Sequence, residues 1–239
     1  MSITTERIPR LRVRHAVAVA GTLGLCAAFA ACKDNNSPAT LTPNSVMAQG
    51  ADTLTGVVGT ALGTQVAVRV LDVSLRPVPN VTVTFTVSPA NGATLSPTTA
   101  TTNDSGVAST TATLGDAAGT DTVFAAVASI PSGTVFLFAN GGPPTQVMAD
   151  SGNQQSATAG TALPDSLIAL VTDQYGNPLP NVTVTWSTTS SGALGAATTQ
   201  TNAAGLTANT YTLAPSAGAQ SVVAQISTSV LATFTETGQ

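Results

Sequence analysis

The residues that could do chemistry are mostly aspartates. Asp52, Asp72, Asp104, Asp116, Asp121, Asp150, Asp165 and Asp173 carry most of the chain's acids. Two facing carboxylates could hydrolyse a glycosidic bond, and several converging oxygens could hold Ca2+. Their spacing argues against both, because they are scattered over turns and strand ends rather than grouped. Asn103-Asp104-Ser105 and Asp150-Ser151-Gly152-Asn153 come nearest to an ion loop. Each is read first as a turn whose Asn or Asp side chain bonds its own backbone. The only histidine is His15, and the only cysteines are Cys26 and Cys32. The chain beyond them therefore lacks the base of a Ser-His-Asp or Cys-His nucleophile system and the ligands of a zinc site. No catalytic residue, metal or cofactor is expected, and a hydrolase is disfavoured.

Cys32 is the exception to this inert inventory. Arg7, Arg10, Arg12, Arg14 and His15 precede an apolar run over residues 16–31, the n-region and h-region of an export signal. The run is too short and too rich in Gly and Ala for a membrane-spanning helix. Phe29-Ala30-Ala31-Cys32 places small residues before a cysteine at the end of that run and resembles the lipobox of bacterial lipoproteins, with Phe29 where the family usually has an aliphatic residue. The resemblance implies a signal peptide at 1–31 and a lipidated Cys32 as the mature N-terminus. Ordinary cleavage after Ala28-Phe29-Ala30 is the competing expectation. Removal of the leader leaves Lys33, Arg69 and Arg76 against ten acids once Glu6 is set aside, a net charge of −7. Such a chain has no means of gripping phosphates, so nucleic acid is not an expected partner, and it lacks a polybasic surface for anionic lipids. Membrane attachment would come through the N-terminal lipid.

The elements that would position these residues occur twice. Pro79-Asn80-Val81-Thr82-Val83-Thr84-Phe85 returns 101 residues later as Pro180-Asn181-Val182-Thr183-Val184-Thr185-Trp186. Alternation of Val and Phe or Trp with Thr is the period of a half-buried strand, and it sets Phe85 and Trp186 at equivalent core positions. Val46-Met47-Ala48 and Val147-Met148-Ala149 open the two copies, and Gly59-Thr60-Ala61-Leu62 and Gly160-Thr161-Ala162-Leu163 keep step. Strands follow at 66–70 and 167–171, then loops 72–80 and 173–181. After the shared Val-Thr-Val-Thr strand the copies diverge, the second being two residues shorter. They rejoin at Thr102-Asn103-Asp104-Ser105-Gly106 and Thr201-Asn202-Ala203-Ala204-Gly205, read as hairpin turns closed by an obligatory glycine. Further strands are expected at 107–114, 123–128 and 135–138, and at 206–213, 222–226 and 231–234. Short strands separated by Gly, Pro and Asn turns indicate an all-β chain of two tandem β-sandwiches. The boundaries are a tether at 32–43, domains at 44–140 and 145–239, and a Gly-Gly-Pro-Pro linker at 141–144.

Gly-Thr-Ala-Leu, the Pro-Asn-Val-Thr-Val-Thr strand behind Asp72 and Asp173, and the later Thr-Asn-x-x-Gly together resemble bacterial Ig-like domains of group 1, the type found in the stalks of invasin and intimin. The resemblance spans residues 44–140 and 145–238. It implies immunoglobulin-like sandwiches forming a rod at the bacterial surface, a non-enzymatic spacer or adhesion and interaction module in the cell envelope, with an unidentified protein or glycan partner. The rival reading is a secreted carbohydrate-binding or enzyme-accessory module, for which Tyr175 is the best candidate to stack on a sugar. Asn80-Val81-Thr82 and Asn181-Val182-Thr183 match the N-glycosylation pattern but are read as strand starts. Gly141-Gly142 is read as a linker, without the context of a phosphate loop.

Overall fold

A computed structural model describes residues 40–88, 91–128 and 130–239. The expected signal peptide at 1–31, Cys32 and most of the expected tether at 32–43 lie outside them. Every regular element among the described residues is a strand, and the strands fall into two sets, each around its own apolar core.

In the first set β1 (Ser45–Ala48) pairs with β3 (Val66–Leu71), which is followed in the sheet by β7 (Val107–Thr113) and β5 (Thr94–Ser96). The opposing sheet runs β2 (Thr53–Val57), β9 (Gly133–Asn140), β8 (Gly119–Ala126), β4 (Thr82–Val87) and β6 (Thr99–Thr101). β1 is antiparallel to β3, but β2 lies parallel to β9 in the other sheet. The first segment of the chain thus crosses between sheets and closes one side of the sandwich. Val83 and Phe85 of β4 are buried between the sheets while Thr82, Thr84 and Thr86 face solvent, as the alternation requires.

The second set repeats the order. β11 (Ser156–Ala157), β19 (Leu231–Gly238), β18 (Gly218–Gln225), β13 (Thr183–Thr188) and β15 (Thr198–Gln200) form one sheet. β10 (Gln146–Ser151), β12 (Leu167–Thr172) and β16 (Leu206–Asn209) form the other. Trp186 is buried here, its ring centroid 5.7 Å from that of Phe234. The indole N–H donates to Thr199 Oγ1 at 2.7 Å, so the larger ring is accommodated without an orphaned donor.

Three expectations need correction. The turns at 102–106 and 201–205 do not close hairpins. Each joins strands of opposite sheets, since β6 pairs with β4 whereas β7 pairs with β3. Glycine is nonetheless required: Gly106 and Gly205 have φ of 70° and 71°, and an added Cβ would lie 2.7 Å from the carbonyl oxygens of Val70 and Val171. The single strand expected at 206–213 is broken at Thr210 into β16 and β17 (Tyr211–Thr212), which pairs with β14 (Ala193–Leu194). The buried Asn209 causes the break. Its Oδ1 accepts the Thr210 and Ala196 N–H groups at 3.0 Å, and its Nδ2 donates to Ala196 O at 2.8 Å. The last two strands of each sandwich are also longer than expected. Gly119 and Gly218 already belong to β8 and β18, ahead of the strands expected from 123 and 222.

Candidate functional site

Asp72 and Asp173 are the two aspartates that the repeat places identically, and both are buried. Asp72 Oδ1 accepts the N–H groups of Ser74 at 2.8 Å and Arg76 at 2.9 Å, and Oδ2 meets the Arg76 guanidinium at 2.7–2.8 Å. The backbone N–H of Arg76, with its guanidinium and Ser74, outweighs desolvation and holds the carboxyl below its ordinary range. These bonds fold the loop 72–80 back on itself and aim Pro79-Asn80 into β4.

The second copy uses the same carboxylate differently. Asp173 Oδ1 accepts the N–H groups of Tyr175 and Asn177, both at 2.9 Å. Arg76 is replaced in the repeat by Asn177, whose Nδ2 donates to Asp173 Oδ2 at 2.9 Å. The shorter side chain leaves room at Oδ2 for the linker, and Gly142 N–H donates there at 2.8 Å. Burial pushes the Asp173 carboxyl up, but the Asn177 amide and the three backbone donors outweigh it, and the net shift is downward.

Asn177 then reaches across to the first sandwich. Its Nδ2 donates to Asp116 O and its Oδ1 accepts the Ala118 N–H, each at 2.8 Å. One amide therefore ties the turn between β7 and β8 to the buried Asp173. Close packing completes the junction: a side chain at Gly59 would collide with the Tyr175 hydroxyl and one at Gly141 with Leu179, and a Cβ at Gly142 would lie 3.8 Å from Val58. The groups involved are the residues after β2, the β7–β8 turn, the linker and the β12–β13 loop, so loops of the two sandwiches meet around Gly141 and Gly142. Tyr175, the residue read as a candidate for stacking on sugar, is thus a joint residue with 42% of its surface exposed.

The remaining acids stay apart. Asp52, Asp104, Asp116 and Asp165 are exposed on separate turns and bends, and Asp150 is exposed near the end of β10. Asp121 is buried in β8 and accepts the Asn91 N–H at 3.0 Å. Among the described residues no three His, Cys, Asp or Glu side chains converge. Asn103 Oδ1 accepts the N–H groups of Ser105 and Val107, and Asn153 Oδ1 those of Gln154 and Thr235. The first candidate ion loop is a turn closed by its own Asn side chain, whereas in the second Asn153 ties the end of β10 to β19. Glu236, which the sequence reading did not weigh, is fully buried, and burial pushes its carboxyl up.

Residues 146–237 match the family model of the bacterial Ig-like domain (group 1). The first sandwich shares its strand order. The structure of InvD from Yersinia pseudotuberculosis superposes with a TM-score of 0.51 at 17% identity, over 82% of this chain and 57% of that one. The chain thus spans little more than half the length of InvD, and the likeness shows a shared fold. The adhesin FdeC of Escherichia coli aligns over 83% of this chain and 66% of its own with a TM-score of 0.49 at 21% identity. The D0-D1 domain of intimin aligns over 81% and 98% with a TM-score of 0.32 at 22% identity. No curated protein sequence matches the chain.

Proposed function

We propose that this chain, whose residues 146–237 carry a bacterial Ig-like domain of group 1, is a non-enzymatic, lipid-anchored protein of the cell envelope. It would be held through Cys32 on the outer membrane or cell surface. Domains 44–140 and 145–239 would form a rod that works as a spacer and interaction module, joined by the linker 141–144 and set off from the membrane by the tether 32–43. The observation that carries this reading is the Asn177 bridge. It fixes the second sandwich on the end of the first through hydrogen bonds on both sides of the linker, which is what a spacer needs to hold its far end away from its anchor. Inter-domain contacts within a chain otherwise tend to permit relative motion.

The test is the intact mass of the protein purified from its native membrane, beside a Cys32→Ala variant. The expected result is a diacylglyceryl thioether on Cys32, lost in the variant together with membrane attachment. An unmodified mass beginning at Ala31 would replace the tethered rod with a freely secreted protein.

A further inference from the structure

The outer face of the five-stranded sheet of the first sandwich carries an aromatic row that the fold does not use. Phe136 and Phe138 alternate outward along β9 and Phe124 stands beside them on β8, with 40%, 42% and 40% of their surfaces exposed respectively. Phe136 lies opposite Thr122, Phe138 opposite Thr120, and Phe124 opposite Thr134. Phe124 is therefore diagonal to Phe136, within reach for aromatic side chains. From the level of Thr134 to that of Phe138 the row extends about 13 Å along the strand. β2 adds Thr53 and Thr55 on one side, and β4 adds Thr84 and Thr86 on the other. No Lys, Arg, Asp or Glu occupies an outward strand position of this face.

The second sandwich is an internal control. The same ladder positions hold Val223, Thr235 and Thr237, and that sheet forms in the same order. A sheet of the same order thus forms without phenyl rings at these positions, and in the first sandwich they keep an apolar patch in water, a feature that marks interaction sites when it is contiguous.

The geometry points to a neutral polysaccharide as the ligand of this face. Phenyl rings standing out from the sheet offer apolar surface to the C–H faces of sugar rings, and the flanking threonines offer hydroxyl donors and acceptors to sugar hydroxyls. The absence of charge on the face, with the net −7 of the chain beyond its leader, disfavours anionic polymers and lipids. A second copy is a poorer fit. Even taken whole, the five strands of this face, about 4.8 Å apart at about 3.4 Å per residue, give roughly 500 Å2, short of the ~800 Å2 per partner of a stable association. This inference rests on the reading of the chain as an interaction module and names the partner class and the surface.

The test is co-sedimentation of the full chain with cellulose, chitin and mannan, with alginate as the anionic comparison. Wild type is expected to bind at least one neutral glycan and not alginate. A Phe136→Thr/Phe138→Thr variant, which installs the residues of the second sandwich, should bind it at least tenfold more weakly, with unchanged circular dichroism and unfolding midpoint. Retention on no neutral glycan, equal binding by the variant, or a wild-type dimer in sedimentation equilibrium that the variant dissolves would each overturn the proposal. Membrane attachment through Cys32 is scored separately, by fractionating the cells that produce the full chain. Failure of glycan binding with attachment intact removes this inference alone, whereas loss of attachment removes the anchored-rod reading.

Discussion

Glu236 of the second sandwich stands where the first has Leu137, both fully buried and both on the last strand facing inward. Its Oε2 accepts the Gln155 N–H at 2.6 Å, which pins the start of β11 to β19, while Oε1 is buried without a partner. The carboxylate helps to close one sandwich where an aliphatic side chain simply fills the other.

This arrangement predicts a pH-dependent gain from Glu236→Gln. The folded-state pKa is raised from 4.5, so the charged form is a cost, complete above the folded pKa and absent below the unfolded one. The variant should be more stable than wild type at pH 7, because the neutral amide escapes the desolvation of the buried charge. The difference should vanish as pH falls into the range of free carboxylates. Urea unfolding of both proteins at neutral and acid pH measures it, and a variant less stable at pH 7 would refute the account.

Thr102 and Thr201 give a paired prediction. Each hydroxyl accepts a backbone N–H from one side, Val81 or Val182 at 2.9 Å, and donates to a carbonyl on the other, Val78 at 2.8 Å or Leu179 at 2.6 Å. Thr201→Val keeps the shape and strands both partners, at an expected cost of about 1–3 kcal/mol. Thr201→Ser should retain most of the stability in the same thermal unfolding series, since it keeps the hydroxyl.

Gly205→Ala should cost about 2–4 kcal/mol, because it combines a left-handed backbone with a Cβ pressed on a carbonyl that cannot yield. Gly176→Ala makes the control. Its φ is also positive, at 85°, but nothing lies within 4 Å of the added Cβ, and only the backbone strain of about 1 kcal/mol remains. Equal losses at the two sites, measured by chemical denaturation, would show that the contact with Val171 O does not matter.

Asn177→Ala removes the bridge to Asp116 and Ala118 but no core contact. Both sandwiches should stay folded while the spread of their relative orientations widens, read by small-angle scattering or residual dipolar couplings. Acidification should loosen the joint in the same sense. The Asp173 carboxyl is held below 3.8, so its contribution is complete above that value and is lost as pH falls through the lower folded pKa. Unchanged couplings in Asn177→Ala would mean that packing of Tyr175 and Leu179 suffices.

The sequence by itself determined the repeat, the strand class and the core centres. Alternation at Val83-Thr84-Phe85 and Val184-Thr185-Trp186 leaves a chain one way to bury its large side chains, and the glycines at 106 and 205 mark a backbone conformation that other residues avoid. It also determined the side-chain inventory, in which no histidine and no cysteine follows Cys32. The tertiary structure decided what no single stretch contains. That Asn177 faces Asp116 depends on how two sandwiches meet, and that the turn at 106 changes sheets depends on which strands pair. Strand alternation also says which residues share a face, but not which face is covered. Phe136 and Phe138 therefore read as ordinary strand residues until the sandwich places Val135 and Leu137 in the core and leaves the three rings of β8 and β9 in water.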